Sequence, residues 1–391
     1  MEKSVLPSGQ PDLASLPAEW RVLFECASPF FDSERVVELV RSVDWSRLLV
    51  LAEGHGVLGH LAKTLSEIEQ DLVPTEIRQT LLERHRAQVF STLRMTAELF
   101  RVLNLFAARD ISAIVVKGPV LAMQAYGDPA MRSYGDLDLL VRQRDIRCAT
   151  ESLQATGYRA TVSLSAIDAG KIPGQYFFSK PEANLVIELH NDLTLRYFPR
   201  SLPLEKLFAR RVLVHLDGHK TPALAVEDEL VYISVHGATH LWERLCWIAD
   251  VAALVTRQSG LNWAGAAQTA KELGAERMLH AGLRLASDLL RARFPEAVLS
   301  VVRGDAGAGK LASCVGAWLT GNVSPTLLER AAFRLRMRGN GLFAPAYLLR
   351  LSLSPTEEDW QADGEISHNR LLDALRRPFR LARKYGHSNK S

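Results

Sequence analysis

Two short segments in which polar and aliphatic residues alternate place the tightest constraint on the fold. The first, GDLDLLV, spans Gly135–Val141, and the second runs from Leu185 to Leu193. Successive side chains of a strand point to opposite faces. Each segment therefore predicts a strand with acidic residues on one face and aliphatic residues on the other. A chain with two such strands requires a sheet whose polar face is put to use.

Three carboxylates lie on these polar faces. Asp136 and Asp138 share one face of the first predicted strand, and Glu188 shares a face of the second with His190. If the strands are neighbours, the carboxylates converge and repel one another unless a divalent cation compensates their charge. Hard oxygen ligands suit Mg²⁺ or Mn²⁺. Such a centre is typical of phosphoryl or nucleotidyl transfer, in which metal ions orient the triphosphate and activate an attacking hydroxyl.

A second group of residues upstream is suited to anions. The β-branched run ISAIVV ends at Lys117 and Gly118, and a helix-like segment opens with Pro119. Backbone N–H groups and the helix dipole at such a turn can bind a phosphate. Arg132 lies four residues before the first aspartate and can offer its guanidinium to a β- or γ-phosphate in a two-pronged contact.

Helical periodicity dominates on both sides of this region. The segments predicted to be helical are Glu34–Ser42, Trp45–Leu65, a helix of about 30 residues that opens at Pro74, Glu227–Val255, Trp263–Leu273 and Glu276–Phe294. The fold class is therefore α+β. We expect a small mixed-sheet core over residues 109–215, an N-terminal helical region over 1–108, and a C-terminal helical domain over 216–391.

Composition narrows the possible partners and location. The 391 residues carry a net charge of +3, too weak a field to favour nucleic acid as a general partner. The N-terminus lacks an apolar signal region and no long uncharged apolar run occurs, which disfavours secretion and membrane spanning. The cysteines are widely spaced without a CxxC pair and are expected to be reduced, buried thiols in the cytoplasm. They are Cys26, Cys148, Cys246 and Cys314.

A polar stripe marks the first helix of the C-terminal domain. His236, His240 and Asp250 recur at helical spacing within otherwise apolar sequence. The segment HGATH is superficially similar to the zinc-protease HExxH, but Gly237 replaces the essential glutamate, which excludes that chemistry. The stripe favours a structural network between helices. The alternatives are a contact with the nucleotide or acceptor and, less favoured, a metal site.

A glycine-rich segment farther along has the spacing of a phosphate-binding loop. Gly304–Lys310 reads GDAGAGK, yet Leu311 stands where such loops have Ser or Thr to bind Mg²⁺. The preceding residues have a helical pattern, whereas a phosphate-binding loop follows a strand. We therefore predict a flexible connection between two helices.

The C-terminal tail is basic. Residues 329–391 hold 12 Lys and Arg against 7 Asp and Glu, and apolar residues from Leu371 to Leu381 alternate with arginines. A basic amphipathic helix can bind an anionic acceptor or a triphosphate, but it more often packs on its own domain. Pro378 interrupts this one.

The segment VVKGPVLAMQAYGDPAMRSYGDLDLLV, followed by the dipeptide GY at 157–158 and by VIELHNDL, resembles the uncharacterised bacterial nucleotidyltransferase family of the polymerase-β-type superfamily. Three flanking helical segments are similar to that family as well, so the resemblance covers nearly the whole chain. They are LAEGHGVLGHL, HGATHLWERLCWIADVAALV and LRRPFRLARKY.

The resemblance implies roles for the residues singled out above. Asp136 and Asp138 would be the catalytic, metal-binding aspartates and Glu188 the third carboxylate. The candidates for nucleotide binding are Lys117, Gly118, Arg132 and His190. One position departs from the superfamily, which usually has Gly-Ser after its first strand. Here Pro119 follows the glycine, so the serine contact to phosphate is missing.

We predict a metal-dependent nucleotidyltransferase that moves an NMP from an NTP to an acceptor hydroxyl and releases pyrophosphate. The sequence does not name the acceptor, which is a small molecule such as a sugar or an antibiotic, a peptide, a protein or, less favoured, RNA. One alternative is a catalytically weak or inactive binding module in a biosynthetic or toxin–antitoxin assembly, which the missing Gly-Ser supports. Another is an Asp-x-Asp glycosyltransferase, which predicts a larger nucleotide-binding sheet upstream, where the sequence is helical instead.

Overall fold

The computed structural model describes residues 13–168, 174–192, 202–321 and 324–339, which form helices around one sheet. The helices of these residues are α1 (Ala18–Ala27), α2 (Ser33–Val40), α3 (Trp45–Gly54), α4 (Leu58–Ser66), α5 (Thr75–Ala107), α6 (Gly118–Ala125), α7 (Ile146–Ala155), α8 (Leu164–Asp168), α9 (Leu204–Arg210), α10 (Val226–Thr239), α11 (Leu245–Arg257), α12 (Trp263–Leu273), α13 (Glu276–Leu290), α14 (Glu296–Gly304), α15 (Ala306–Thr320) and α16 (Leu327–Arg336). The strands are β1 (Ala113–Val116), β2 (Leu137–Val141), β3 (Arg159–Ala160), β4 (Gln175–Lys180), β5 (Leu185–His190), β6 (Val212–Leu216) and β7 (His219–Ala223).

The sheet is mixed, with the strand order β3-β4-β5-β2-β1-β7-β6. Strands β2 and β5 run parallel, β4 runs antiparallel to β5, and β6 and β7 form an antiparallel hairpin. This arrangement confirms the predicted α+β class, with a mixed sheet flanked by helices. Residues 13–112 contain helices and no strand, so the larger upstream sheet that a glycosyltransferase predicts is not present among these described residues.

The chain divides into two compact units, each built from separated segments. The helical unit contains the described residues up to Ala97, then Val116–Tyr134 and Arg210–Gly339. The strand unit contains Glu98–Val115 and Gly135–Ala209, as far as these are described. Both of the acid-bearing strands, β2 and β5, belong to the strand unit.

The alternating patterns form the core of the strand unit as predicted. In β5 the residues Leu185, Ile187 and Leu189 are buried while the intervening side chains are half-buried. In β2 all five residues are buried, including the aliphatic pair Leu137 and Leu139. The aliphatic face of β5 fixes the register of that strand, because a shift by one residue would move Glu188 and His190 to the fully buried positions.

The long helix of the N-terminal region is confirmed. Helix α5 runs over 33 residues from Thr75 to Ala107. The segment predicted as helical over Trp45–Leu65 is also helical, but it consists of two helices, α3 and α4. Gly56, which adopts a positive φ of 68°, lies between them. Glycine populates this region of backbone space without steric penalty, so the chain can turn there.

The prediction of one helix over Glu227–Val255 is wrong. The structure ends α10 at Thr239 and starts α11 at Leu245, because the chain diverts to bury the Trp242 ring, which is 0% exposed. Trp242 adopts a φ of 53° and its ring packs against Gly237, where a Cβ atom would lie 2.5 Å from it. Helical periodicity does not report such a break, because both halves keep their apolar faces.

The glycine-rich segment GDAGAGK is not a flexible connection, contrary to our prediction. Helix α14 ends at Gly304 and α15 begins at Ala306, so Asp305 alone separates them. The Asp305 carboxylate accepts hydrogen bonds from the N–H groups of Gly307 and Ala308, at 3.0 and 3.1 Å. It therefore caps α15 and stabilises its first turn. The prediction of a helix before this segment is confirmed.

The structure also bears on the predictions about membrane spanning, the burial of the cysteines and the basic C-terminal tail. Within the part of the chain that is described, every helix is too short or too polar to cross a membrane. All four cysteines are free thiols, and three of them are buried as expected, while Cys148 is half-buried. The basic segment from Leu371 to Leu381 lies outside the described residues.

The helical unit contains a buried histidine whose pKa is lowered in the folded protein. His60 on α4 is 4% exposed, and neither ring nitrogen has a hydrogen-bond partner among the described residues. Its ring packs edge-on against the Tyr126 ring, with centroids 5.0 Å apart. Burial, with a smaller contribution from the charge of Lys63, lowers the pKa of His60 to about 4. The folded protein therefore holds this imidazole neutral.

We expect His60 to destabilise the protein at acidic pH. In the unfolded chain its pKa is near 6.5, so the unfolded state binds more protons between about pH 6.5 and 4. The full stability is present above pH 6.5 and is lost as the pH falls through 4, by about 3 kcal/mol. His60→Leu should remove this loss, measured by urea denaturation from pH 4 to 8. The control His215→Leu, at an exposed histidine of β6, should retain the loss of stability at low pH. A His60→Leu protein whose free energy of unfolding falls with pH in parallel with that of the wild type would refute the assignment.

Candidate functional site

Two carboxylates stand side by side on the sheet. In the parallel ladder of β2 and β5, Asp138 is the register partner of Glu188. Asp138 is 3% exposed and Glu188 is half-buried. Each of the two residues lies on the polar face of a strand in which polar and aliphatic residues alternate. The structure thus places these two predicted site residues next to each other.

His190 joins the two carboxylates. Its Nε2 atom lies 2.9 Å from Asp138 Oδ1 and 3.6 Å from Glu188 Oε2. One ligand atom from each of the three residues lies within 4.8 Å of the others, and among the described residues these three form the group that could hold a metal ion. His190 therefore lies beside the acids, and its predicted contact with the nucleotide stays a prediction.

Gln175 on β4 is a contact that sequence reasoning missed. It is the antiparallel register partner of His190, and its side-chain amide donates a hydrogen bond to Glu188 Oε2. A neutral amide in the aromatic segment QYFFSK carries no chemical signal of its own. Only the pairing of β4 with β5 reveals that it orients the glutamate.

Asp136 stands slightly apart from this group. It lies immediately before β2, which begins at Leu137 rather than at Gly135, and its side chain is half-buried. It is not a member of the close group of Asp138, Glu188 and His190. The close group consists of two carboxylates and an imidazole, and the role of Asp136 as a further metal-binding acid stays a prediction.

The chemistry of this group fits a divalent cation. Two adjacent carboxylates, one of them almost fully buried, repel each other and lose hydration unless a positive charge compensates them. Two carboxylate oxygens and one imidazole nitrogen are ligands that Mg²⁺ or Mn²⁺ accepts, with its remaining positions left for water or phosphate oxygens. The residues present are therefore a suitable, incomplete coordination shell.

The Lys117–Gly118 turn lies in the helical unit. Lys117 and Gly118 adopt positive φ angles of 54° and 48°, and α6 begins at Gly118 with Pro119 in its first turn. The Lys117 N–H donates to Glu229 Oε1 at 3.0 Å, and the Lys117 ammonium lies 5.8 Å from the Tyr232 ring centroid. A Cβ atom at Gly118 would meet nothing within 4 Å, so the turn leaves open space beside its backbone.

Arg132 is held by a carboxylate inside the helical unit. Its Nε donates to Asp250 Oδ2 at 2.9 Å, and Tyr126 donates its hydroxyl hydrogen to Asp250 Oδ1 at 3.0 Å. Burial is the largest single effect and acts to lower the pKa of Arg132, but the charge of Asp250, the hydrogen bond to it and the nearby Cys246 and Tyr126 together raise that pKa above its ordinary value. The Arg132 Nε thus belongs to a buried ion pair, and the phosphate contact expected of the guanidinium stays a prediction.

The predicted polar stripe separates into two clusters. The rings of His236 and His240 lie 4.6 Å apart, and each lies within 5.4 Å of the Trp247 ring. Burial, assisted by the positive charge of Lys117, lowers the pKa of His240. Asp250 belongs instead to the Arg132 network, because α10 and α11 are separate helices.

The residues of the candidate site lie in a segment of the chain that matches a known protein family. A profile of an uncharacterised nucleotidyltransferase family matches residues 41–291, a range that contains the acidic group, the Lys117–Gly118 turn and the Arg132 network. No curated protein matches the chain.

Proposed function

This chain belongs to the uncharacterised nucleotidyltransferase family, whose members transfer nucleotidyl groups, and on that premise we propose that it is a metal-dependent enzyme that uses an NTP. An acceptor hydroxyl would attack the α-phosphorus in line, and pyrophosphate would leave. The observation that carries the proposal is the pairing of Asp138 with Glu188 in adjacent, register-matched positions.

In this proposal Asp138 and Glu188 hold the divalent cation, with Asp136 close by in sequence to complete the acidic set. When bound, Mg²⁺ or Mn²⁺ supplies positive charge that stabilises the triphosphate and its leaving group. Glu188 is proposed to accept the proton of the acceptor hydroxyl. Its Oε2 is anchored by Gln175, which fixes the direction in which the carboxylate can act.

The phosphates are proposed to bind at the Lys117–Gly118 turn. The Lys117 N–H is already bonded to Glu229, so the phosphate contacts fall to the Lys117 ammonium and the Gly118 N–H. Helix α6 begins at Gly118, and the N–H groups of its first turn together with the helix dipole favour an anion there. Arg132 is proposed to supply positive charge to the nucleotide, with its Nε held by Asp250.

The test is nucleotidyl transfer by the full-length protein. Each of the four labelled NTPs is incubated with the protein, Mg²⁺ or Mn²⁺, and a cell extract as the source of acceptors. We expect pyrophosphate release together with label on one acceptor class. Chelation with EDTA should reduce both by at least about 100-fold, since charge compensation at the leaving pyrophosphate is lost.

Two outcomes would contradict the proposal. Binding of an NTP without turnover, under all acceptor and metal conditions, would favour the binding module that Pro119 in place of serine supports. Turnover of a nucleotide sugar with no turnover of any NTP would favour the glycosyltransferase.

A further inference from the structure

The position of His190 bears on which cation the centre selects. We infer that His190 Nε2 is a direct ligand of the divalent cation, so that the centre binds through two carboxylates and one imidazole and prefers Mn²⁺ to Mg²⁺. This inference rests on the proposed function and deepens it. The observation behind it is the approach of one imidazole nitrogen to both acids at once.

The distances suit ligands of one ion. Metal–ligand bonds of about 2.1 Å at right angles place neighbouring ligand atoms about 3 Å apart. His190 Nε2 lies 2.9 Å from Asp138 Oδ1 and 3.6 Å from Glu188 Oε2. All three ligand atoms lie within 4.8 Å of one another, so one ion can reach them with small side-chain adjustments.

The fold holds the imidazole in this place. His190 follows Glu188 by two residues on the same face of β5, and its side chain is 12% exposed. Its backbone is paired on both sides, with Leu140 of β2 and Gln175 of β4. His190 is the last residue of β5, and this pairing with a strand on each side holds its backbone, so the nitrogen stays beside the acids.

A nitrogen ligand changes the selectivity of the centre. Mg²⁺ prefers an all-oxygen shell in strict octahedral geometry and gives up its water reluctantly. Imidazole binds transition metals more strongly, and affinities along the first row begin at Mn²⁺ and rise towards Cu²⁺. The His190 nitrogen therefore adds more to the binding of Mn²⁺ than to that of Mg²⁺.

A hydrogen bond from a protonated Nε2 to Asp138 has the same length, and spectroscopy separates it from coordination. Electron spin-echo modulation of bound Mn²⁺ detects ¹⁴N only when a nitrogen is bonded to the metal or lies very near it. The full-length protein is measured with Mn²⁺ alone and with Mn²⁺ plus a non-hydrolysable NTP. We expect the ¹⁴N coupling of a coordinated imidazole in at least one of these states.

The variant His190→Asn provides the chemical control, because its shorter side chain removes the imidazole nitrogen and its amide does not reach the position of Nε2. It should lose the ¹⁴N coupling and bind Mn²⁺ about 10-fold more weakly, while its affinity for Mg²⁺ changes much less. His215→Asn, at an exposed histidine of β6, should match the wild type in both measurements. Affinities come from the free Mn²⁺ signal, with Mg²⁺ as the competitor.

Two results would overturn the inference. One is bound Mn²⁺ without ¹⁴N coupling in either state, and the other is a His190→Asn protein with an unchanged ratio of Mn²⁺ to Mg²⁺ affinity. A complete failure of Mn²⁺ to bind would also refute it. These readouts do not use turnover, so a protein that transfers nucleotides normally but shows no ¹⁴N coupling would refute the inference and leave the proposed function standing. Imidazole-coordinated Mn²⁺ in a protein without turnover would support the inference and refute the proposed function.

Discussion

Asp138→Asn is expected to reduce nucleotidyl transfer by at least about 1000-fold, equivalent to about 4 kcal/mol of transition-state stabilisation. Asparagine keeps the shape of the side chain and a carbonyl oxygen at the position that His190 contacts. It removes the negative charge that holds the cation beside Glu188. Because Asp138 is 3% exposed, water cannot substitute for the lost charge.

The same substitution should leave the fold intact. Without metal, Asp138 and Glu188 repel each other, so the neutral asparagine is expected to keep or raise the melting temperature. Activity is measured as pyrophosphate release and stability by thermal unfolding in EDTA. The control is Asp217→Asn, in the exposed turn between β6 and β7, where asparagine tolerates the φ of 45°. Transfer that survives Asp138→Asn at a tenth of the wild-type rate or more would rule out the mechanism.

Asp250→Ala is expected to have the largest effect on stability. The substitution leaves Arg132 buried without its counter-ion, and it also removes the acceptor of the Tyr126 hydroxyl. Removing one member of a buried ion pair destabilises a protein by about 3–5 kcal/mol. Because Asp250 and Arg132 are 1% and 8% exposed, solvent cannot screen the charge that remains.

Urea denaturation of the full-length protein measures this effect. The double substitution of Asp250→Leu with Arg132→Met should recover more than half of the loss, because it removes both charges together. Asp288→Ala breaks a more exposed pair with Arg284, which lies four residues earlier on helix α13 of the same unit, and should cost less than about 1 kcal/mol. A loss below 1 kcal/mol for Asp250→Ala would show that the ion pair does not stabilise the helical unit.

The parts of the fold that the sequence predicts are those with a local period. Helix α5 and strands β2 and β5 each repeat an apolar position at a fixed interval, so burying one face determines the element. The pairing of Asp138 with Glu188 depends on a sheet order that joins β2 to β5. The alternation in each strand predicts which of its residues share a face, but it does not predict that β2 and β5 are neighbours in the sheet.

The elements and contacts that were not predicted depend on distant residues. The break at Trp242 arises because Gly237 and Gly282 leave space for its ring, and no local pattern encodes that space. Arg132 finds its partner 118 residues later in the chain. Likewise, Gln175 gains a function only because β4 pairs with β5. The predicted domain boundaries at residues 108 and 215 stay predictions.

The central claim is that Asp138 and Glu188 hold the ion on which transfer depends. A crystal of the full-length protein grown with Mn²⁺ and a non-hydrolysable NTP, measured at the manganese absorption edge, tests it most directly. We predict an anomalous peak about 2.2 Å from a carboxylate oxygen of each residue, with a triphosphate oxygen completing the shell. A bound triphosphate with manganese elsewhere, or with no manganese between these two side chains, would contradict the claim.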